Sequence, residues 1–138
     1  KTDLMDESIF LTDYELVDGS KANLALLAAL IRLCDELDIA SDRNPDLLYD
    51  TETMEGMSEK DVFEFSKHEA IHTIKFSEDN IVVIADTDKP DIADGVIEAI
   101  RTVKETLGYC LSVISKRSDF QIDCETIKLI LNDKEVEV

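Results

Sequence analysis

The sequence has no tryptophan, two prolines, four glycines and two histidines. The glycines, at positions 19, 56, 95 and 108, lie too far apart for a loop that cradles phosphate groups through clustered backbone amides. No serine sits in a nucleophile-elbow pattern. Cys34, Cys110 and Cys124 are odd in number and lack C-x-x-C spacing, which argues against a disulfide framework and for a reducing, cytoplasmic setting. Cys34 and Cys110 fall within apolar patterns, where a small thiol is expected to be buried. No apolar run approaches the roughly 18 residues that cross a bilayer, and the first residues carry no basic-then-apolar secretory pattern.

Basic residues are scarce too. Fourteen Lys and Arg face thirty-two Asp and Glu, for a formal charge of −18, and only Lys116 and Arg117 are adjacent cations. Such a surface repels nucleic-acid phosphates and anionic membranes, so neither is an expected partner. The acidity also serves solubility and names no partner by itself.

What is present suits a folded domain. Hydrophobic residues make up 44% and charged residues 33% of a 138-residue chain, enough for one modest core. The chain opens on Lys1 and runs into acidic, turn-like sequence, so it is expected to be a piece of a longer protein.

Residues 1–20 read as an irregular lead-in with room for a short strand. From Leu24 to Leu37, Leu26, Leu27, Leu30, Ile31, Cys34 and Leu37 recur at helical spacing while Leu24, Ala25, Ala28, Ala29 and Leu33 fill the other sides. This predicts a central helix buried on most faces. Asp42-Arg43-Asn44-Pro45 breaks it, residues 46–50 suit one more helical turn, and residues 51–57 form the expected linker. Ser58, with Asp61 three residues on, marks a helix start, and that helix is expected to run to about Glu69.

Residues 72–76 alternate, residues 77–80 turn, and residues 81–85 are a β-branched run, which together predict a hairpin. After Pro90, apolar residues from Ile92 to Ile114 recur every three or four positions, giving a long amphipathic helix over 91–116 with Lys116 and Arg117 at its negative end. Phe120–Asp123 and Thr126–Leu131 carry strand patterns. The expected fold class is α+β: C-terminal helices of a helical domain over 1–50, then a small unit over 58–138 of helix, β-hairpin, long helix and C-terminal strand. In that unit the long helix covers one face of an antiparallel sheet.

Three clusters invite a chemical reading. Asp35 stands mid-helix among Leu, Ile and Cys, with Arg32 three residues before it and Asp38 three after. An aspartate among apolar side chains needs a cation, a donor or a proton. The residues Arg32, Asp35, Glu36 and Asp38 are either a solvated helix face, or Asp35 is a metal ligand or an anchor for Arg43. His68 and His72 stand four apart, a zinc-binding spacing on a helix, with Glu64 or Glu69 nearby, and His68-Glu69-Ala70-Ile71-His72 matches the letters of H-E-x-x-H. The strand pattern that begins at Thr73, and the lack of a later histidine, favour a helix-to-strand junction over a zinc protease. Asp86, Asp88, Asp91 and Asp94 lack calcium-loop spacing and read as a solvated helix start.

The string LAALIRLCDELDIASDRNP, residues 27–45, resembles the LAALLRLADELDxxxxR signature near the end of HD-superfamily domains, in particular the subgroup named for cyclases and other signalling effectors. The resemblance extends more weakly through Glu64–Glu69, similar to a W/Y-x-x-H helix of those proteins. It implies a phosphohydrolase-like domain in which a His, a His-Asp pair and a later Asp hold one or two divalent metals (Mn, Fe, Mg or Zn) for phosphate-ester hydrolysis. Asp35 matches that last ligand, and Asp38, Arg43 and Arg32 would support it. Cys34 stands where the family usually has Ala.

The departure is large. No histidine precedes Asp35 and no His-Asp dipeptide occurs. The chain by itself is therefore expected to be non-catalytic and to bind no metal tightly. Its expected partner is the remainder of a parent protein or a second copy. The rival reading is a stand-alone interaction or oligomerisation module.

Overall fold

The computed structural model describes residues 2–38, 58–123 and 126–138. Two short strands, β1 (Tyr14–Glu15) and β2 (Lys21–Ala22), pair antiparallel and lead into helix α1 (Leu24–Leu37). Helix α2 (Glu59–Ala70) runs straight into β3 (Ile71–Phe76), which turns back as β4 (Asn80–Ala85). Helix α3 (Pro90–Arg117) crosses to β5 (Thr126–Leu131), and a tight turn returns β6 (Lys134–Val136). The class is α+β.

Local chemistry sets these boundaries. The α2 start has the expected cap: Ser58 Oγ accepts from the Asp61 amide at 3.2 Å. Pro90 opens α3, where a missing amide proton costs nothing, and Lys116 and Arg117 close it against the dipole. Between β5 and β6, Asn132 and Asp133 both have positive φ (52° and 65°), as a two-residue primed turn requires. Asn132 Oδ1 also accepts from the Thr87 amide at 2.9 Å, fastening that turn to the chain leaving β4.

The larger sheet has the order β3-β4-β5-β6. The expected antiparallel sheet is corrected here: β4 and β5 are parallel, from Asn80↔Thr126 to Ala85↔Leu131, and the outer pairs are antiparallel. The reason is the connection. A helix between two neighbouring strands carries the chain back along the sheet, so the second strand runs the same way as the first. Phe120–Asp123 are not in a strand, another departure from expectation: β4 begins at Asn80, opposite Thr126, and offers these earlier residues no partner.

Helix α3, about 42 Å long at 1.5 Å per residue, carries the core. Its Val96, Ile100, Val103, Leu107, Cys110, Val113 and Ile114 are buried, and cluster with Ile81, Val83, Ala85, Ile127, Leu129 and Leu131 of the sheet and with Ala29 and Leu33 of α1. One apolar cluster thus spans α1 and the sheet.

α1 departs from expectation. Only Ala25, Ala29 and Leu33 are buried, a line of fourfold spacing whose alanines let α1 lie close on α3. Leu27 is 48% and Ile31 69% exposed, and Cys34 is exposed as well, whereas Cys110 is buried as expected. The helix is apolar on several sides but is covered on one, because among the described residues α3 is its main neighbour.

Candidate functional site

The α1 helix is held at both ends of its buried line. At its start Asn23 Oδ1 accepts from the Leu26 amide at 3.0 Å, and Asn23 Nδ2 donates to the Arg117 carbonyl at 2.8 Å. Since Arg117 is the last residue of α3, the two helices run antiparallel. The lead-in is stitched to both: Leu4 is buried, its amide donates to Tyr109 Oη at 2.9 Å, and its carbonyl accepts from Arg117 Nη1 at 2.7 Å.

This arrangement takes Arg32 away from the carboxylates. Arg32 Nη2 donates to the Thr2 carbonyl at 2.9 Å, and its guanidinium lies 5.5 Å from the centre of the Tyr109 ring. Arg32 therefore braces the lead-in and α3, and does not face Asp35.

Asp35 is exposed on the last turn of α1, and Asp38 is the half-buried C-cap, its amide donating to the Asp35 carbonyl at 3.3 Å. Both line a groove of about 650 Å³ with Leu30, Ile31, Cys34, Leu37 and, from the end of β3, Phe76. Asp35, Glu36 and Asp38 all stand at the negative end of the helix dipole, and no basic residue shares that last turn. Carboxylates there are disfavoured by roughly 0.3–1 kcal/mol each at an exposed site. That cost is a signal readable in the sequence.

Arg43, the remaining supporting residue, lies outside the described residues, as do the side chains of Glu64 and His68, the expected linker over 51–57 and Cys124. α2 ends at Ala70 and His72 stands on β3, so the H-E-x-x-H letters do not share one helix. Ile71 pairs with Ala85 and Thr73 with Ile84, leaving His72 as the extra residue of a bulge. Its Nε2 lies 3.2 Å from Asp86 Oδ2, and both side chains are about half exposed. Sequence reading missed this partner, since the pairing depends on strand register. His72 and Phe76 lie at opposite ends of β3, about 13 Å apart at 3.3 Å per residue. The groove with Asp35 and the imidazole of His72 are thus separate.

Among the described residues, no three His, Cys, Asp or Glu side chains converge to hold a metal ion. Among the described residues the donor set around Asp35 holds carboxylates and no imidazole, short of the several ligands at fixed geometry that a catalytic divalent metal needs. It does not fit a complete metal site, and no catalytic step follows from it. Among the described residues no helix is long and apolar enough to cross a membrane.

A family model described as HD-CE matches residues 2–119, which includes α1, α2, the β3–β4 hairpin and α3. No curated protein and no solved structure matches the chain.

Proposed function

Because the chain belongs to the HD-CE family, we propose that it is the C-terminal part of a metal-dependent phosphohydrolase-like signalling protein and is non-catalytic by itself. The observation that carries this reading is the isolation of Asp35: by resemblance it matches the family's last ligand, yet no histidine precedes it in the given sequence, and no ligand set converges on it among the described residues. Asp35 would supply one carboxylate to a divalent metal (Mn, Fe, Mg or Zn), with the histidines coming from the remainder of a parent protein. Asp38 would support that site from the C-cap. Arg43 would contact phosphate, and Arg32 would act indirectly, by fixing α1 against the lead-in. The exposed thiol of Cys34 suits a reducing cytoplasm.

The test is elemental analysis of the purified chain after incubation with Mn, Fe and Zn, alongside Asp35→Ala and His68→Ala. No stoichiometric metal is expected. One equivalent, lost on Asp35→Ala alone, would mean that this chain builds its own site. One equivalent lost on His68→Ala would return the zinc reading of His68 and His72.

A second reading, an interaction module, is favoured by one specific observation: Ile31 and Phe76, which line the Asp35 groove, are large apolar side chains left exposed.

A further inference from the structure

The larger sheet has a second face, turned away from the core. Ile81, Val83 and Ala85 of β4 and Ile127, Leu129 and Leu131 of β5 cluster with α3. Alternation along each strand sends Val82, Ile84 and Ile130 to the opposite face, and these three belong neither to the buried cluster nor to the side chains packed on it. Strand register sets that face out in two rows. One runs Thr73, Ile84, Ile130, Glu135 from β3 to β6, and the other runs Lys75, Val82, Lys128 from β3 to β5. Its centre is therefore a half-buried apolar triangle of Val82, Ile84 and Ile130, and its rim is polar, the anatomy of an interface. The parallel pairing points the same way. Parallel strands occur with both faces covered, and β4 is apolar on both, but among the described residues the core cluster covers one.

Charge decides the occupant. Lys75 and Lys128 are exposed, and neither is ion-paired among the described residues. They flank Val82 one strand away on each side, about 10 Å apart, close to the diameter of an α-helix, about 10 Å. A helix laid along β4 covers Val82 and Ile84, leans on Ile130, and has one lysine at each flank. Acidic residues on both sides of its apolar ridge would meet those lysines. A second copy offering the same face would set lysines against lysines.

We propose that this outer face of the sheet is the docking site of an acidic amphipathic helix from a different polypeptide, which completes a helix–sheet–helix sandwich. Its apolar ridge rests on Val82, Ile84 and Ile130, and its carboxylates reach Lys75 and Lys128. The surface lies across the sheet from the Asp35 groove, because Phe76 pairs with the core residue Ile81 and so points to the covered side. It is thus independent of the metal reading and of the exposed side chains of α1.

Two synthetic helical peptides test it, identical in their leucine ridge, one flanked by glutamates and the other by arginines. Binding to the 138-residue chain is read by fluorescence anisotropy at about 0.15 M salt, where fields reach only about 8 Å. Its place is read by the rate at which acetic anhydride acetylates Lys75 and Lys128, with exposed Lys21 of β2 as the internal control. The glutamate peptide is expected to bind at least about threefold more tightly and to slow acetylation of Lys75 and Lys128 but not of Lys21. Attraction by overall charge cannot mimic this result, since a chain of −18 favours the arginine peptide. Lys75→Glu combined with Lys128→Glu alters exposed positions and is expected to weaken the glutamate peptide at least about tenfold. Ile84→Thr and Ile130→Thr keep the charge and the β-branching, and each is expected to weaken it about fivefold. No binding of the glutamate peptide, or binding that leaves both lysines fully reactive, overturns the docking site. Equal or tighter binding of the arginine peptide overturns the acidic occupant. A dimer seen by analytical ultracentrifugation and dissociated by Ile130→Thr puts a second copy on this face and overturns the proposal. The metal analysis above is unaffected by any of these results.

Discussion

Asn23 joins the beginning of α1 to the end of α3: its side-chain oxygen caps the Leu26 amide at 3.0 Å while its side-chain nitrogen donates to the Arg117 carbonyl at 2.8 Å. One amide thus satisfies a free donor of one helix start and a free acceptor of one helix end. It fixes the lengthwise placement of α1 on α3, and through it the position of Asp35 three turns further along.

Asn23→Ala is expected to cost about 1–2 kcal/mol, the upper part of the range for a lost N-cap, because the Arg117 carbonyl loses its donor as well. Asn23→Asp keeps the cap and loses the donor, so it should fall between the two. Urea unfolding monitored by circular dichroism checks the order.

Two neighbouring positions on α1 should respond in opposite ways. Leu33 is buried against α3 and Leu33→Ala is expected to cost about 2–4 kcal/mol, whereas Ile31→Ala, at an exposed site, should change stability by no more than about 0.5 kcal/mol. Equal losses in urea melts would place Ile31 in the core.

The glycines of α3 form a second contrast. At Gly108 a Cβ meets nothing within 4 Å, so Gly108→Ala should stabilise by about 0.5–1 kcal/mol through helix propensity. At Gly95 the same atom would stand 2.6 Å from Lys67 Cδ and 2.9 Å from Phe63 Cζ, side chains of α2 lying across α3. Gly95→Ala should therefore lose that gain, and Gly95→Val should loosen α2, which hydrogen exchange of the α2 amides would report.

The Asp18 carboxyl is held below the usual aspartate range by the hydroxyl of Ser20, then by the Ser20 amide, and Asp6 is lowered in the same way by Ser8. A lowered folded-state value means that each interaction favours folding above the ordinary aspartate range and is lost as pH falls through the folded value. Ser20→Ala should raise the Asp18 value and leave Asp6 unchanged, as carboxyl-carbon NMR titration would show.

Much of this fold was legible from residue order. The limits of α1 follow from its repeat, the start of α2 from Ser58, and α3 from Pro90 and the closing Lys116-Arg117 pair. These are short-range effects of backbone geometry, capping and dipole, so a local reading captures them. Asp35 was singled out in the same way, as a carboxylate out of place in an apolar helix.

Relations between distant segments were decided by the tertiary structure. Periodicity says that a strand has an inner face but not which strand it meets or in which direction, and the crossover through α3 makes β4 and β5 parallel. The same holds for α1, whose apolar residues occur on several sides. Which side is covered depends on where α3 passes, and it passes along Ala25, Ala29 and Leu33, leaving Cys34 in solvent and Arg32 against Tyr109. Hydrophobicity along a chain measures how much surface seeks cover; the partner that supplies the cover is fixed by three-dimensional packing.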